Sequence, residues 1–315
     1  MKKIFSAMLA VIIMLSFCSC SAKKETVLII SGAEINEEIF TYFADIVSQR
    51  PTDYGLTDNP EKDDLKQAVT DECKKYLAAN TEFRNKGLSL SAADKVEISQ
   101  NVNNFWIRFE NHYNEIGVSK QTLTKIMTAQ ASEDAIFTAT YDRGIDNTAA
   151  EKELTDYFYE NYVSFRNVCA YFTSADGSSA MTQQEKNELL AKFEALKASA
   201  GTDIENFSET VTAAGYTLSD SVLLKKGSDG YPAGFFERVY EQADNKVQLI
   251  VYDECVFAVW KENLEDKGEN IYPNYRSSCI SDLYSAKSEQ ETEEYISTLT
   301  VEEKRGADRI IKKFA

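Results

Sequence analysis

Histidine is the scarcest residue type that could do chemistry in this chain. The 315-residue sequence contains a single histidine, His112. A Ser-His-Asp or Cys-His catalytic group therefore requires His112 as its base, and any zinc site with two histidines is excluded. His112 has acidic and polar neighbours, which predicts a surface position. Carboxylates do not single out an acid–base pair either, because the chain has 51 Asp and Glu residues.

Cysteine is the other reactive residue type. Beyond Cys18 and Cys20 near the start, the chain has cysteines at positions 73, 169, 255 and 279. They are widely spaced and form no C-x-x-C pair, so zinc is disfavoured and we predict neither a metal site nor a cofactor. Outside the cytosol these residues could form up to two disulfides or stay as buried thiols, and both alternatives remain open.

Composition and charge limit the possible classes of function. Apolar residues make up 43% and charged residues 27% of the chain, and a length of 315 residues favours two folded domains. The 34 Lys and Arg residues against 51 Asp and Glu give a net charge of −17. This charge repels phosphate backbones, so we exclude nucleic acid as a partner.

The first twenty residues have the pattern of an export signal. Lys2 and Lys3 precede an apolar run from Ile4 to Phe17, and the sequence Cys18-Ser19-Cys20 follows. A cysteine that closes such a run after a small residue is similar to the bacterial lipoprotein signal, which predicts lipidation of Cys20 and a membrane anchor on the extracytoplasmic face. Ordinary secretion with incidental cysteines is the alternative.

Hydrophobic periodicity predicts a helical first half after one opening strand. Thr26 to Ile30 form a β-branched run that ends at a Ser31-Gly32 turn, and Asn36 is expected to cap the next helix. Apolar residues then recur at helical spacing. The helices predicted from this spacing cover 63–86, a segment starting at Ser91, a segment starting at Ser119, and about 149–162.

A different pattern begins near residue 165. Strands are predicted over 168–173, 216–224, 246–252 and 255–261, and helices over 182–199, 204–214 and 233–242. The order β-α-α-β-α-β-β over about a hundred residues has the size of one α+β domain. Residues from about 275 to 313 return to a helical pattern.

Taken in order, these segments resemble the SurA/PrsA group of extracytoplasmic chaperones and foldases, which join a helical SurA-like chaperone domain to a parvulin domain. The N-terminal likeness lies in VLIISGAEINEEIF (27–40), NKGLSLSAAD (85–94), EIGVSKQTL (115–123) and AEKELTDYFYENY (150–162). The parvulin likeness covers about 165–263 and rests on the topology together with YPAGFFERVY (231–240).

The resemblance implies an α+β protein with a discontinuous chaperone domain. Residues 1–20 would be the lipoprotein signal peptide, 21–163 the helical SurA-like domain and 164–263 a parvulin-like βααβαββ domain. Residues 264–315 would form C-terminal helices that pack back on the chaperone domain.

The chain departs from the parvulin pattern at the catalytic histidines. Parvulins have one histidine in the first strand and one in the last, whereas those strands here read NVCAYF (167–172) and ECVFAV (254–259), and no histidine occurs from 151 to 315. The resemblance therefore implies a degenerate site. Its expected members are Cys169 or Ala170, Cys255, and the aromatic residues Tyr231, Phe235 and Phe236. The phenylalanines either keep part of an apolar proline pocket or simply fill the core. If the first and last strands are neighbours, Cys169 and Cys255 form either a disulfide or two packed thiols.

These features predict a membrane-anchored chaperone that binds unfolded exported polypeptides through apolar surface, with a parvulin-like domain that is not catalytic. An active peptidyl-prolyl isomerase is the alternative, and a solute-binding lipoprotein is a third class. In the helix after Ser91, Phe105 and Phe109 are expected in the core. Trp106 and Tyr113 are the candidate client-binding residues, and packing in the core is the alternative for both.

Overall fold

The computed structural model describes residues 24–174, 179–201 and 203–315, with all their side chains except those of 268–270. The predicted signal peptide and Cys20 lie outside the described residues. By internal contacts, the chain divides into two compact units, which we call unit 1 (residues 1–140 and 287–315) and unit 2 (residues 141–286). The fold is α+β with antiparallel sheets, as the sequence predicts.

The described residues form seven strands, ten α-helices and a 3-10 helix at Pro51–Tyr54. The strands are β1 (Thr26–Ile30), β2 (Ala33–Asn36), β3 (Tyr162–Tyr171), β4 (Val222–Lys225), β5 (Lys246–Val251), β6 (Cys255–Glu262) and β7 (Val301–Glu303). The helices are α1 (Glu37–Gln49), α2 (Lys62–Asn85), α3 (Ala92–Ile116), α4 (Lys120–Tyr141), α5 (Thr148–Asn161), α6 (Gln183–Ala200), α7 (Ile204–Ala213), α8 (Phe235–Tyr240), α9 (Leu264–Ser297) and α10 (Arg305–Ile311). No helix in these described ranges combines the length and apolar composition needed to cross a membrane.

Unit 1 is built on a small antiparallel sheet in the order β2-β1-β7. Strand β1 is the central one and is buried by α1, α2 and α10, which supply Phe40, Val69 and Ile311 to one apolar cluster. Helix α10 approaches the strand closely at Gly306, where an added Cβ would lie 2.6 Å from Cγ1 of Val27. The close approach of α10 to β1 therefore requires a residue without a side chain at this position.

The predicted helix starts of unit 1 are confirmed by side-chain capping. The side-chain oxygen of Asn36 accepts from the N–H of Ile39, and Ser91 and Asp94 form a reciprocal capping box at the start of α3. Ser119 caps α4 by accepting from the N–H of Thr122. These side chains satisfy N–H groups that would otherwise lack a partner in the first helical turn.

Glu38 of α1 ties the start of α1 to the start of α4. Its carboxylate accepts from the Ser119 hydroxyl (2.6 Å) and from the Thr122 hydroxyl, and it pairs with Lys24 (2.7 Å). Burial raises the pKa of Glu38, but the hydrogen bonds from Lys24, Ser119 and Thr122 outweigh burial, so the pKa lies below its usual value.

Two features of unit 1 differ from the expectation of one opening strand followed by helices. Strand β2 pairs with β1, and β7 near the C-terminus pairs with the other edge of β1, with Leu28 opposite Glu303. Strand β7 reads VEE and all three of its residues are exposed. Its sequence shows no alternation of apolar and polar residues, because this strand is held by backbone pairing and buries no apolar side chain.

Unit 2 has a four-stranded antiparallel sheet in the order β4-β3-β6-β5. Helices α6 and α7 cover one face through Phe193 and Phe207, and α8 covers the other face through Phe235 and Val239. The predicted order β-α-α-β-α-β-β for 165–263 is confirmed.

The boundaries of two predicted strands of unit 2 are wrong. Strand β3 begins at Tyr162, six residues before the predicted start, and β4 covers only Val222–Lys225. The expected strand start at Tyr216 instead closes helix α7, because Gly215 adopts φ +84° and the Tyr216 N–H donates to the Val211 carbonyl. Helix α9 also begins earlier than predicted, at Leu264.

A buried carboxylate at the end of β6 joins three parts of unit 2. Glu262 accepts from the Ser164 hydroxyl of β3 (2.6 Å) and from the Ser221 hydroxyl next to β4, and it pairs with Arg166 and with Lys267 of α9. Burial raises the pKa of Glu262, but these donors more than compensate and hold the pKa below its usual value.

We expect Glu262→Gln to destabilise unit 2 by about 2–4 kcal/mol, because Arg166 and Lys267 lose their carboxylate and the two hydroxyls exchange a charged acceptor for a neutral one. The stabilisation should be complete above about pH 5, since the unfolded glutamate has a pKa of about 4.3, and should be lost as the pH falls towards the lower folded pKa. Urea unfolding at pH 7 and pH 4 measures both effects. Glu254→Gln, at an exposed position in the β5–β6 turn, is the matched control. An equal effect of both substitutions at pH 7 would contradict this role for Glu262.

Candidate functional site

The predicted first and last strands of the parvulin-like region are neighbours. Strand β3 pairs with β6 along its length, with Cys169 opposite Phe257 and Tyr171 opposite Cys255. Because opposite residues of antiparallel strands share a face, Cys169 and Cys255 lie diagonally on the same face. We call the group Asn167, Cys169, Ser219, Tyr231, Phe235, Cys255 and Phe257 on this face the sheet-face site.

Aromatic rings form most of the sheet-face site. Tyr231 stacks on Phe235 with ring centroids 4.3 Å apart, and Phe235 meets Phe257 edge to face at 4.9 Å. Phe165 of β3 contacts both Tyr231 and Phe235. Phe235 and Phe257 are buried, whereas Tyr231 is half-buried. The interpretation that Phe235 fills the core is therefore correct, and Tyr231 gives the site its accessible aromatic surface.

The polar groups of the site come from β3 and the segment before β4. The side-chain amide of Asn167 donates to the Tyr231 hydroxyl and to the Ser219 hydroxyl, each at 3.4 Å. The Asn167 backbone N–H also donates to the Ser219 hydroxyl at 2.9 Å. Burial raises the pKa of Tyr231 more than the Asn167 hydrogen bond lowers it, so this phenol remains protonated at neutral pH.

The two cysteines of the site are free, protonated thiols. All four described cysteines are unbridged, so the disulfide alternative for Cys169 and Cys255 is not the state of this structure. Burial, followed by the nearby Cys255 thiol, raises the pKa of Cys169 to about 12. Burial also raises the pKa of Cys255. Thiols become nucleophiles only as thiolates, so neither residue is activated for covalent chemistry near neutral pH.

The site can therefore offer an apolar aromatic surface and neutral hydrogen-bonding groups. Asn167, Ser219 and Tyr231 can donate to or accept from a bound amide. Its side chains include no histidine, carboxylate or lysine to accept a proton near pH 7. Among the described side chains, no three of His, Cys, Asp or Glu cluster closely enough to hold a metal ion.

Most residues predicted for the degenerate site do come together. Cys169, Tyr231, Phe235, Phe236 and Cys255 share one cluster beneath α8. Ala170 lies on the opposite face against α6 and α7, so Cys169 is the first-strand member of the site.

The prediction missed Asn167, Ser219 and Phe257. Asn167 and Phe257 stand two residues from Cys169 and Cys255, so strand alternation could have identified both. Ser219 follows no such rule, because it lies in an irregular segment.

A second apolar surface lies on α3 in unit 1. Phe105, Ile107 and Phe109 are 45%, 79% and 36% exposed. Phe105 and Phe109, one helical turn apart, form what we call the α3 aromatic surface, whereas Ile107, two residues from each, points to a different side of the helix. The rings of Phe105 and Phe109 are 6.0 Å apart, and Arg108 covers one face of Phe109.

The core positions expected for Phe105 and Phe109 are wrong, and Trp106 and Tyr113 follow the alternative of packing in the core. Phe105 and Phe109 are exposed, Trp106 is half-buried, and Tyr113 is buried between Trp106 and Tyr42 in a stack of three rings. Helix α3 is kinked at Phe109, where φ is −125° and ψ is 17°. The kink does not regroup these residues, because Trp106 and Tyr113 still share the side that packs inward, and Phe105 and Phe109 still share the exposed side.

His112 is partly exposed, as predicted, but it is not isolated. Its Nε2 lies 2.9 Å from Oδ2 of Asp45, a buried carboxylate of α1. The pair links α1 to α3 directly beside Tyr113. No local pattern predicts this contact, because the two residues are 67 positions apart.

No protein-family model matches the sequence, and no curated protein sequence matches it either. The fold is similar to two solved structures of foldase proteins. The foldase protein PrsA from Streptococcus pneumoniae has 11% sequence identity and a TM-score of 0.36, with 90% of this chain and 97% of that chain covered. The foldase protein PrsA from Lactococcus lactis has 12% identity and a TM-score of 0.38, with coverage of 92% and 99%.

Alkylation tests the state of the Cys169 thiol. A pKa of about 12 instead of 9 lowers the thiolate fraction about 1,000-fold, and the greater nucleophilicity of a more basic thiolate restores only about 20-fold. We therefore expect iodoacetamide to modify Cys169 at pH 7.5 at least about 40-fold more slowly in the native protein than in urea. Peptide mass mapping measures the rate, with N-acetylcysteine as a control for the effect of urea on the reagent. Equal native and unfolded rates would show an activated, accessible thiol.

Proposed function

We propose that this protein is an extracytoplasmic chaperone that binds unfolded exported polypeptides, and that its parvulin-like region is not catalytic. The observation that carries the proposal is the α3 aromatic surface. Two large apolar rings, Phe105 and Phe109, are held side by side at the surface of a helix, where burial in their own chain does not account for them.

The surroundings of this surface suit a holding function. Trp106 and Tyr113 stack beneath it and anchor α3 to the core of unit 1, so the exposed rings stand on a rigid base. A net charge of −17 keeps a protein with exposed apolar surface soluble. Binding of this kind requires contact area and no reactive group.

Suppression of client aggregation tests the holding function. We expect the protein, as residues 21–315, to suppress aggregation of a reduced, unfolding client at stoichiometric amounts. The double variant Phe105→Ser/Phe109→Ser should bind the client roughly 30-fold less tightly, since each exposed ring contributes about 1 kcal/mol on burial. Light scattering measures suppression, and anisotropy with a labelled client measures affinity.

Tyr295→Ser provides the matched control, because Tyr295 is an exposed aromatic residue elsewhere in unit 1. This control should keep full activity. A wild-type protein that fails to suppress aggregation, or a double variant that matches the control, would refute the role of the α3 aromatic surface.

Absence of catalysis is proposed from the chemistry of the sheet-face site. Prolyl isomerisation crosses a barrier of roughly 20 kcal/mol, and an enzyme must bind the twisted amide better than the planar one. The site keeps aromatic walls but has Cys169 and Cys255 on the strands where parvulins have histidines. Protonated thiols are weak hydrogen-bond donors and cannot order a polar environment as imidazoles do.

A protease-coupled assay with a proline-containing peptide tests this part of the proposal. We expect the observed rate with residues 21–315 to equal the uncatalysed rate, which has a time constant of tens to hundreds of seconds. Turnover well above that rate would favour the alternative of an active isomerase. In that case a loss of activity in Tyr231→Phe, but not in Tyr171→Phe, would assign the activity to the sheet-face site.

We also propose that the mature protein is anchored to the extracytoplasmic membrane face through lipid on Cys20. The support is the pattern of Lys2, Lys3, the apolar run and Ser19-Cys20. Mass spectrometry of protein from a bacterial membrane fraction should show a diacylglyceryl group on an N-terminal Cys20. A mature chain that starts elsewhere without lipid would support ordinary secretion.

A further inference from the structure

Strand β4 forms one edge of the unit 2 sheet, and its outer side faces a groove. The sheet order is β4-β3-β6-β5, so β4 pairs with β3 on one side only, and no described strand pairs with its other side. The groove between β4 and the first part of α9 has a volume of about 610 Å³. This volume lies within the range of about 300–1,000 Å³ typical of ligand pockets.

The register shows which backbone groups face the groove. Lys226 N–H donates to the Asn161 carbonyl, and Val163 lies opposite Leu224. Hydrogen-bonded pairs alternate along antiparallel strands, so Leu224 bonds to β3 while Leu223 and Lys225 direct their N–H and C=O groups outward. The Lys225 carbonyl accepts from the N–H of Ser228. The Leu223 N–H and C=O and the Lys225 N–H remain available along the groove.

The opposite edge of the same sheet provides a contrast. By the same register argument, Val251 of β5 directs its carbonyl outward. That carbonyl accepts from Nη1 of Arg238 at 2.9 Å, and the guanidinium also covers the ring of Tyr252. A charged side chain therefore caps the β5 edge, which is a common way to prevent strand addition. The hydrogen bonds between described residues include no such cap at Leu223.

The lining of the groove indicates the side chains that would fit beside β4. Helix α9 contributes three serines, Ser277, Ser278 and Ser281. Tyr162 and Tyr275 form an aromatic wall, with ring centroids 5.6 Å apart. The lining charges, Lys225 and Asp282, neutralise each other in an ion pair of 2.6 Å that joins β4 to α9.

We propose that the groove binds an extended, uncharged polypeptide segment, which adds to β4 as an outer strand. The free N–H and C=O groups of Leu223 recognise backbone, and the serine and tyrosine lining accepts small or apolar side chains. The neutral lining gives no preference for a charged segment. This inference rests on the proposed function only in taking a polypeptide as the ligand. It adds a polypeptide site in unit 2 to the α3 aromatic surface proposed in unit 1.

Direct peptide binding tests the groove separately from client holding. The probe is a fluorescein-labelled octapeptide of alternating Ser and Val, with a matched peptide N-methylated at alternate residues so that it cannot pair as a strand. We expect anisotropy with residues 21–315 to show saturable binding of the first peptide and at least tenfold weaker binding of the second. Equal binding of both peptides, or no binding of either, would overturn the proposal.

Two substitutions locate the site. Leu223→Pro removes an outward N–H without removing a bond to β3, a change that edge strands tolerate. Ser278→Phe fills the groove, and Ser199→Phe, on an exposed position of α6, is the matched control. We expect each groove variant to weaken peptide binding at least tenfold. Ser199→Phe should change it less than twofold.

Amide exchange on the unmodified protein keeps the test decisive if a variant misfolds. Saturating peptide should slow exchange of the Leu223 and Lys225 amides at least tenfold. Unchanged exchange at these two amides would refute strand addition. Sedimentation tests the alternative that a second copy of the chain occupies the groove. A dimer that Leu223→Pro dissociates would show that a second copy, and not a peptide, pairs with β4. Loss of aggregation suppression with peptide binding intact would refute the proposed function alone.

Discussion

The pairing of β3 with β6 is the constraint on which unit 2 depends. It runs from Ser164 opposite Glu262 to Tyr171 opposite Cys255 and joins residues almost a hundred positions apart. Each face of this pair carries a separate cluster, with Phe193 and Phe207 on one side and Phe235 and Phe257 on the other. A slip of one residue would exchange the two faces and move Cys169 away from the sheet-face site.

The same pairing fixes the chemistry of the site. Cys169 and Cys255 are brought together because their strands are adjacent, and their surroundings are apolar because α8 covers that face. Burial then keeps both thiols protonated. The fold thus concentrates aromatic and polar side chains on one face, without a side chain in the sheet-face site that titrates near neutral pH. What remains favours contact with an apolar or amide-bearing ligand over proton transfer.

The sequence predicted the parts of the fold that depend on local signals. Asn36 and Ser91 mark helix starts by residue type, and the order of elements in 165–263 follows from periodicity. Strand β7 was missed because its VEE sequence carries no hydrophobic pattern and it forms only through pairing with β1, more than 270 residues away. The faces of α3 were assigned wrongly because spacing shows which aromatic residues share a face but not which face packs against α1. The contact of His112 with Asp45 likewise requires the packing of α1 on α3, which no local rule gives.

The two edge strands of the unit 2 sheet differ in whether their outward backbone groups are covered. An unpaired strand edge exposes N–H and C=O groups that favour association with any extended chain, so soluble proteins cover or charge such edges. In β5 the Arg238 side chain occupies the outward carbonyl of Val251. Helix α9 lies beside β4 and contributes serines to the groove. The ion pair of Asp282 with Lys225 joins α9 to β4, and the groove remains open between them. Short serine side chains leave this cavity open, whereas the leucines or phenylalanines of a packed helix interface would close it. The arrangement therefore keeps the backbone of β4 accessible, and backbone N–H and C=O groups are the one feature that all extended polypeptides share.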